Sequence, residues 1–417
     1  MWLQTTTVPE RRALLATYAG YGLDGFDFMV YSFVIPSLLA LWGMSNAEAG
    51  YIASGALITS AVGGWAAGVL ADRYGRSRIL QLTVVWFAVF TFLSGFTNSF
   101  GQLFFTRAMQ GFGFGGEWSV GSVLVAEMID ARHRGKATGL VQSSWSVGWA
   151  AAALAFWAVS LMVPAAIAWR FLFWLGILPC LLVIYIRRKV PEPEIFIQLR
   201  ARRAAAAGES GRRGSFLDIF RPPLLRTTFL ATALSTGMLA AYYSITTWLP
   251  TFLATERHLS VAGTTGYLLM VITGSLAGYL VSAWLTDAIG RRRCFMLFAA
   301  GATLLILLYT HMPVAGGMFL IGFPLGFFML GIFSGMGACL AELFPGAVRG
   351  SGQGFTYSVG RGIGGFCPSL IGLLSARVGL GDAISAFTVA AYALVILSAW
   401  AIPETRGRVL IESAVET

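Results

Sequence analysis

Four ionisable side chains, Asp24, Asp27, Glu117 and Arg361, lie inside long apolar runs, where a charge is costly and normally faces a cavity or a partner. Asp24 and Asp27 are three apart, so on a helix they share one face. Two close carboxylates in a poorly solvated cavity resist double ionisation. One of them can then carry a proton at physiological pH; the other reading is a hydrogen-bonded pair that only stabilises its helix. Arg361 carries a planar guanidinium that stays charged when desolvated and fits a carboxylate through two parallel hydrogen bonds. It can hold an organic anion, or be tied permanently to Asp24 or Glu117. Arg107, Gln110, Phe114 and Glu117 follow one another at spacings of 3, 4 and 3, one stripe of a helix that can pass a proton or line a cavity. Arg107, further along this stripe, reads either as a proton relay or as a structural donor to loops. Gln142, Trp145, Tyr242, Tyr243 and Tyr357 offer polar groups and flat rings that can bind a substrate, although aromatic residues in helices also simply pack.

The elements that position these groups are membrane helices. Of 417 residues, 57% are hydrophobic and 12% charged, too little polar surface to coat soluble domains. Apolar spans of about 20 residues or more fall near 13–42, 48–71, 79–97, 101–128, 136–163 and 169–187. A second set follows near 226–254, 260–287, 293–311, 314–343, 351–378 and 382–402. The expected fold is an all-α membrane protein with twelve transmembrane helices in two pseudo-symmetric six-helix bundles, residues 1–187 and 226–417. A polar linker, 188–225, joins them and contains PEPE and AGESGRRG. At about 1.5 Å of rise per residue, Asp24, Glu117 and Arg361 lie roughly 16–18 Å from the cytoplasmic ends of their helices and Asp27 about 21 Å. All four approach the midplane of a core about 30 Å thick.

The formal net charge is +10, but the basic residues sit in short gaps between spans rather than on one folded face with stacking aromatics, which excludes nucleic-acid binding. Of 29 Lys and Arg residues, Arg107 and Arg361 lie within spans and Arg170, Arg257 and Arg377 in the gaps of one side. The rest fall at the termini and in the gaps of the other side, so the positive-inside rule places both termini and the linker in the cytoplasm. The N-terminal stretch reads as a first membrane helix rather than a removable signal peptide. Cys180, Cys294, Cys339 and Cys367 have no CxxC spacing and read as packing residues. GFGFGG at 111–116 has no βαβ unit around it, so its glycines at 111 and 115 form a close-packing face rather than a dinucleotide site. With no Walker, HExxH or GxSxG sequence, the chain is expected to be no enzyme, to hold no metal or cofactor, and to draw energy from a gradient.

One internal offset recurs. GVLADRYGRSR at 68–78 is echoed by AWLTDAIGRRR at 283–293, and AEMIDARHRGKATG at 126–139 by AELFPGAVRGSGQG at 341–354, each shifted by 215 residues. An even helix count per half makes the repeats parallel, related by an axis along the membrane normal. Gly75 and Gly290 permit a tight turn, and the arginines that follow, Arg76 and Arg291 among them, hold the loop at the cytoplasmic face. Asp72 and Asp287 can accept hydrogen bonds from a helix N-terminus, a contact able to latch the two halves, or serve as a topology signal alone. Glu127, Arg134, Glu342 and Arg349 repeat in the same way and complete the expected gate. Arg361 aligns with Ser146 under the offset, so it breaks the repeat where the halves should differ.

The D-R-x-G-R loop, the R-x-x-x-G-x-G run from Arg107 and the PETRG tail at 403–407 resemble the major facilitator superfamily over essentially the whole chain. DGFD at 24–27, GGEW at 115–118, WRFLFWLGILP at 169–179 and VPEPE resemble its sialate and monocarboxylate proton-symporter branch, close to the aromatic-acid proton symporters. The resemblance implies a transporter of the bacterial inner membrane that moves a carboxylate-bearing organic anion with a proton by alternating access. Asp24, Asp27 and Glu117 would then couple the proton, and Arg361 would bind the anion. Its partners would be the anion, the proton and the lipid bilayer, with a single chain sufficient. A proton-driven exporter of amphiphilic compounds and a non-transporting assembly protein share the fold and remain alternatives.

Overall fold

A computed structural model describes residues 6–128, 134–181, 183, 185, 216–222, 224–314, 317–345 and 348–406. The side chains of Asp72, Arg76, Glu127 and Arg134, and residues 188–215 of the expected linker, lie outside the described residues.

The first half contains α1 (Val8–Trp42), α2 (Asn46–Tyr74), α3 (Arg76–Ser94), α4 (Phe100–Met128), α5 (Arg134–Met162) and α6 (Ala165–Leu175). The second contains α7 (Leu224–Thr255), α8 (Val261–Ile289), α9 (Arg291–His311), α10a (Met318–Gly331), α10b (Met336–Leu343), α11a (Arg349–Gly364), α11b (Cys367–Val378) and α12 (Leu380–Ala401). Among the described residues ten of these segments, counting α10a with α10b and α11a with α11b, are long and apolar enough to cross a membrane. With α4 and α6 they make the twelve crossings expected. Two spans that hydropathy reads as continuous are interrupted: a 3-10 turn, Ile332–Gly335, joins α10a to α10b, and α11 breaks after Gly364.

Local sequence sets the helix ends. Thr7 and Glu10 form a capping box at the start of α1, and Ser45 and Glu48 form another at α2, satisfying backbone donors that the first turn leaves unpaired. Gly75 and Gly290 adopt φ of 114° and 96°, which turns the chain from α2 into α3 and from α8 into α9 without a Cβ clash.

The helices then meet backbone to backbone, and the 215-residue offset reappears in the contacts. A Cβ on Gly111 would stand 2.0 Å from the Ala56 carbonyl oxygen, and one on Gly326 1.8 Å from that of Val271. Likewise Gly63 faces the Phe112 carbonyl oxygen at 1.8 Å and Gly278 that of Phe327 at 2.2 Å. Each pair joins the equivalent helices, α2 to α4 and α8 to α10a, so the duplication read in two loops extends to the packing of the bundles. Large apolar side chains such as Trp65, Leu161, Leu280, Trp284 and Trp400 are exposed on the outside, the surface a bilayer covers.

The halves meet along α1, α2 and α5 on one side and α7, α8 and α11 on the other. At the end opposite the termini α2 and α11b are closely joined. Asn46 Nδ2 donates to Ser375 Oγ at 3.0 Å, and Ser369 Oγ and its backbone N–H both bond Ser54 Oγ. At mid-height Ser146 and Ser275 share a hydrogen bond of 2.7 Å between α5 and α8.

Candidate functional site

Midway along this seam, α1 and α4 face each other and bring four of the ionisable groups together. Asp27 is fully buried; Gln110 Nε2 donates to its Oδ2 at 2.5 Å, and Arg107 Nη1 stands 3.8 Å from the same oxygen. The Arg107 guanidinium lies over the rings of Tyr31 and Phe173, at 5.3 and 5.8 Å. Arg107 is therefore an internal ion-pair partner rather than a donor to loops. Its charge is matched by Asp27 and shielded by aromatic faces.

Asp24 is also fully buried, yet neither of its oxygens accepts a hydrogen bond among the described residues, and the same holds for both oxygens of buried Glu117. The strongest electrostatic neighbour of Asp24 is Glu117, ahead of Asp27 and Arg361. The sequence groups Asp24 with Asp27; the structure divides them, giving Asp27 to Arg107 and Gln110 and leaving Asp24 without a hydrogen bond among the described residues. The physical reason is packing within the first half: side chains from α4 reach Asp27 and not Asp24.

Arg361, on α11a, enters from the second half. It is 5% exposed, its Nη2 donates to the Tyr357 hydroxyl at 3.0 Å, and its guanidinium lies over the rings of Phe114 and Tyr357 at 5.2 and 5.0 Å. The Tyr243 and Tyr21 hydroxyls are within its electrostatic reach. Its Nε has no partner, and among the described residues Arg361 forms no ion pair, so the permanent pair with Asp24 or Glu117 is not what this conformation contains.

Around it stands a set of rings drawn from both halves. Trp145 Nε1 donates to the Tyr242 hydroxyl at 2.5 Å, a direct link between α5 and α7. Phe28 lies at the centre, with ring centroids 6.0 Å from Phe114, 5.9 Å from Trp145, 6.3 Å from Tyr242 and 5.8 Å from Tyr243. Tyr21 meets Trp145 at 5.1 Å, and Phe333, in the 3-10 turn, meets Tyr242 at 5.7 Å. Tyr21, Phe28 and Phe333 are members of the site that the sequence reading missed. The first two were legible, since Tyr21, Asp24 and Phe28 follow at spacings of 3 and 4 and so share the stripe of the aspartate. Gln142 is half-buried and forms no hydrogen bond with this cluster among the described residues.

A second cluster occupies the end that carries the termini. Arg291 donates through Nη1 to Asp287 at 2.7 Å, and through Nη2 and Nε to the two oxygens of Glu342 at 3.0 and 3.2 Å. Arg349 Nε donates to the Ala341 carbonyl oxygen at 3.0 Å. Asp287, Arg291 and Glu342 are thus brought together, while Arg349 bonds its own turn. The N-terminus of α9 is capped by Glu404 rather than Asp287. Glu404 accepts the backbone N–H groups of Arg291 at 2.9 Å, Arg292 at 3.2 Å, Thr405 at 2.9 Å and Arg406 at 3.0 Å. Burial alone would raise the Glu404 carboxyl, but these four donors outweigh it and hold the group below the usual carboxylate range. Every one of these contacts lies within the second half.

Chemically, the described residues at the seam offer one cation without a carboxylate partner, two carboxylates with no hydrogen bonds and a wall of rings, in two helical bundles that share a twofold pattern. That is the construction of a polytopic membrane transporter that binds its substrate between its halves. The chain belongs to the major facilitator superfamily: the model described as Major Facilitator Superfamily matches residues 17–282, and that described as Sugar (and other) transporter matches 219–416. It is 39% identical to a probable 4-methylmuconolactone transporter of Cupriavidus pinatubonensis, over 97% of this chain and 93% of that protein. It is 30% identical to the sialic acid transporter NanX of Escherichia coli, over 95% of each. Among solved structures, a D-xylose-proton symporter superposes with a TM-score of 0.75 at 20% identity, over 96% of this chain and 99% of that one, a likeness of fold.

Proposed function

We propose that this transporter takes up an organic anion bearing a carboxylate, together with protons, across the bacterial inner membrane, with both termini in the cytoplasm. The observation that carries the reading is Arg361: a buried guanidinium at the seam of the halves, stacked on Phe114 and held by Tyr357, with no acid paired to it. A cation in that state is ready for an anion that arrives from outside the protein. The ring wall gives the organic part of the anion flat apolar faces against which to lie. Muconolactone and sialic acid, named for two relatives, are both carboxylic acids, which supports the same substrate class.

The carboxylates opposite supply the coupling. Negative charge left on the Asp24 and Glu117 pair competes for Arg361 and repels an anion. A proton on the pair removes that competition and frees the guanidinium to accept the substrate. Proton and anion therefore favour each other's binding, the condition for symport. With both in place, the halves rock about the seam and the cluster of Asp287, Arg291 and Glu342 reorganises at the cytoplasmic end. A cavity suited to lipophilic cations has no use for an unpaired arginine, which disfavours drug export.

The test is uptake of benzoate, 4-methylmuconolactone and sialic acid into proteoliposomes under an imposed inward proton gradient. Accumulation of at least one of them is expected, and it should collapse on addition of a protonophore. Carboxylate flux indifferent to the gradient, or selective movement of lipophilic cations, overturns the proposal.

A further inference from the structure

The charges at the seam do not sum to zero, and their imbalance bears on how many protons the site holds. Among the described residues the buried ionisable groups of the site are Asp24, Asp27 and Glu117 against Arg107 and Arg361. Arg291, the remaining buried charged residue, belongs to the terminal-end cluster with acids of its own. Fully ionised, the site would carry one uncompensated negative charge at the depth where that is most costly.

The contacts show where the surplus lies. Asp27 has a cation of its own, with Arg107 Nη1 3.8 Å from Oδ2 and Gln110 donating to that oxygen, while its Oδ1 has no partner among the described residues. Asp24 and Glu117 have no ion-pair partner among the described residues, Arg361 being the cation within electrostatic reach of Asp24, and none of their four oxygens accepts a hydrogen bond. The other titratable groups around Arg361 and the ring wall are hydroxyls: Tyr21 on α1, Tyr242 and Tyr243 on α7, Tyr279 on α8 and Tyr357 on α11a. These are neutral at physiological pH, and no Lys or His from the described residues faces the pair.

We propose that the empty site keeps one proton at all times, shared between Asp24 and Glu117, and that the transported proton is a second one taken up by the same pair. The resident proton brings the site to neutrality and supplies the one O–H donor that two facing carboxylates otherwise lack; it belongs to the pair, not to either residue. An incoming monoanion then claims the charge of Arg361 and leaves the remaining carboxylate unbalanced. That carboxylate takes the second proton from the side open to solvent and gives it up when the anion leaves. Protons and charges balance in both states, so one monoanion moves with one proton and no net charge. Asp27 stays ionised beside Arg107 throughout.

This inference rests on the symport reading, and the experiment separates the two. Infrared spectra of the ligand-free protein at neutral pH should contain the C=O stretch of a protonated carboxylic acid. That band is expected to vanish in Glu117→Gln and in Asp24→Asn. With benzoate as probe and a pH-indicating dye in weak buffer, wild type and each of the variants Glu117→Gln and Asp24→Asn should take up about one proton per benzoate bound. In either variant the amide replaces the resident proton and the surviving carboxylate accepts the second. The double variant D24N/E117Q should bind benzoate without proton uptake. Monodispersity on gel filtration confirms that each variant is folded. An absent band, a band that survives in both Glu117→Gln and Asp24→Asn, or proton uptake by the double variant overturns the shared-proton site. If the band behaves as expected while carboxylate flux ignores the gradient, the resident proton stands and the symport reading falls.

Discussion

At Arg361 charge and shape can be separated by one substitution. The guanidinium is fixed between the Phe114 and Tyr357 rings and by the Tyr357 hydroxyl, so its two outer N–H edges are oriented before an anion arrives. Arg361→Lys keeps the positive charge but loses the fork and the planar stacking. A hydrogen bond to a charged group is worth about 1.5–3 kcal/mol, or roughly a tenfold to hundredfold change in affinity. Benzoate affinity measured by calorimetry should weaken by about that factor, while proton uptake per benzoate is unchanged because the charge count is the same. An unaltered affinity would mean that Arg361 does not touch the carboxylate. The sequence made this residue visible through its depth and its departure from the repeat, and it made Asp24, Asp27 and Glu117 visible for the same reason. It did not reveal who pairs with whom. Residues three apart differ by about 60° around a helix axis, and in a crowded seam that angle sends Asp27 to Arg107 and Gln110 and Asp24 toward Glu117. Which way each points depends on how α1 is rotated against α4, a property of packing rather than of spacing.

Between elements, glycine approaches fix how closely α4 packs on α2 and α10a on α8. Gly111 and Gly326 occupy equivalent positions in α4 and α10a, and each leaves room for a carbonyl oxygen of the helix opposite. A side chain there must push two helices apart, because the obstacle is backbone and cannot turn away. Gly111→Val and Gly326→Val should each destabilise the protein by about 1–3 kcal/mol or more, with similar falls in the thermal unfolding midpoint in detergent. Gly68→Ala and Gly266→Ala, where nothing lies within 4 Å of the added carbon, should leave the midpoint close to wild type. Equal effects at all four positions would remove the argument that close packing holds these helix pairs. The glycines at 111 and 115 were legible as a close-packing face, and the helix count was legible from hydropathy. The 3-10 turn at Ile332–Gly335 and the break after Gly364 were not. Hydropathy records length and polarity over a window, so it passes over the turn at Ile332–Gly335 inside an apolar stretch and over the backbone break between Gly364 and Pro368.

For the whole molecule, the repeat accounts for the scaffold and its exceptions account for the chemistry. Asp24, Asp27, Glu117 and Arg361 align under the 215-residue offset with Leu239, Tyr242, Ile332 and Ser146, so each charge of the site exists in one half only. The first half thereby holds the acids and the second the free cation, and whatever crosses must be handled by both. Rocking would require the seam to part first at one end and then at the other. In this conformation the end opposite the termini is sealed where α2 meets α11b: Asn46 bonds Ser375, Ser54 bonds Ser369, and Gly50 lies against the Pro368 carbonyl oxygen. That seal must break once in every cycle if the halves move as bodies. In a variant lacking Cys180, Cys294, Cys339 and Cys367, cysteines introduced as Asn46→Cys and Ser375→Cys should be joined by oxidation, since their side chains already meet at 3.0 Å. Benzoate uptake into proteoliposomes should stop on oxidation and return on reduction, and either single cysteine should be without effect. Uptake that continues at full rate in the cross-linked protein would show that this end never opens, and the substrate would then need a route other than the seam between the halves.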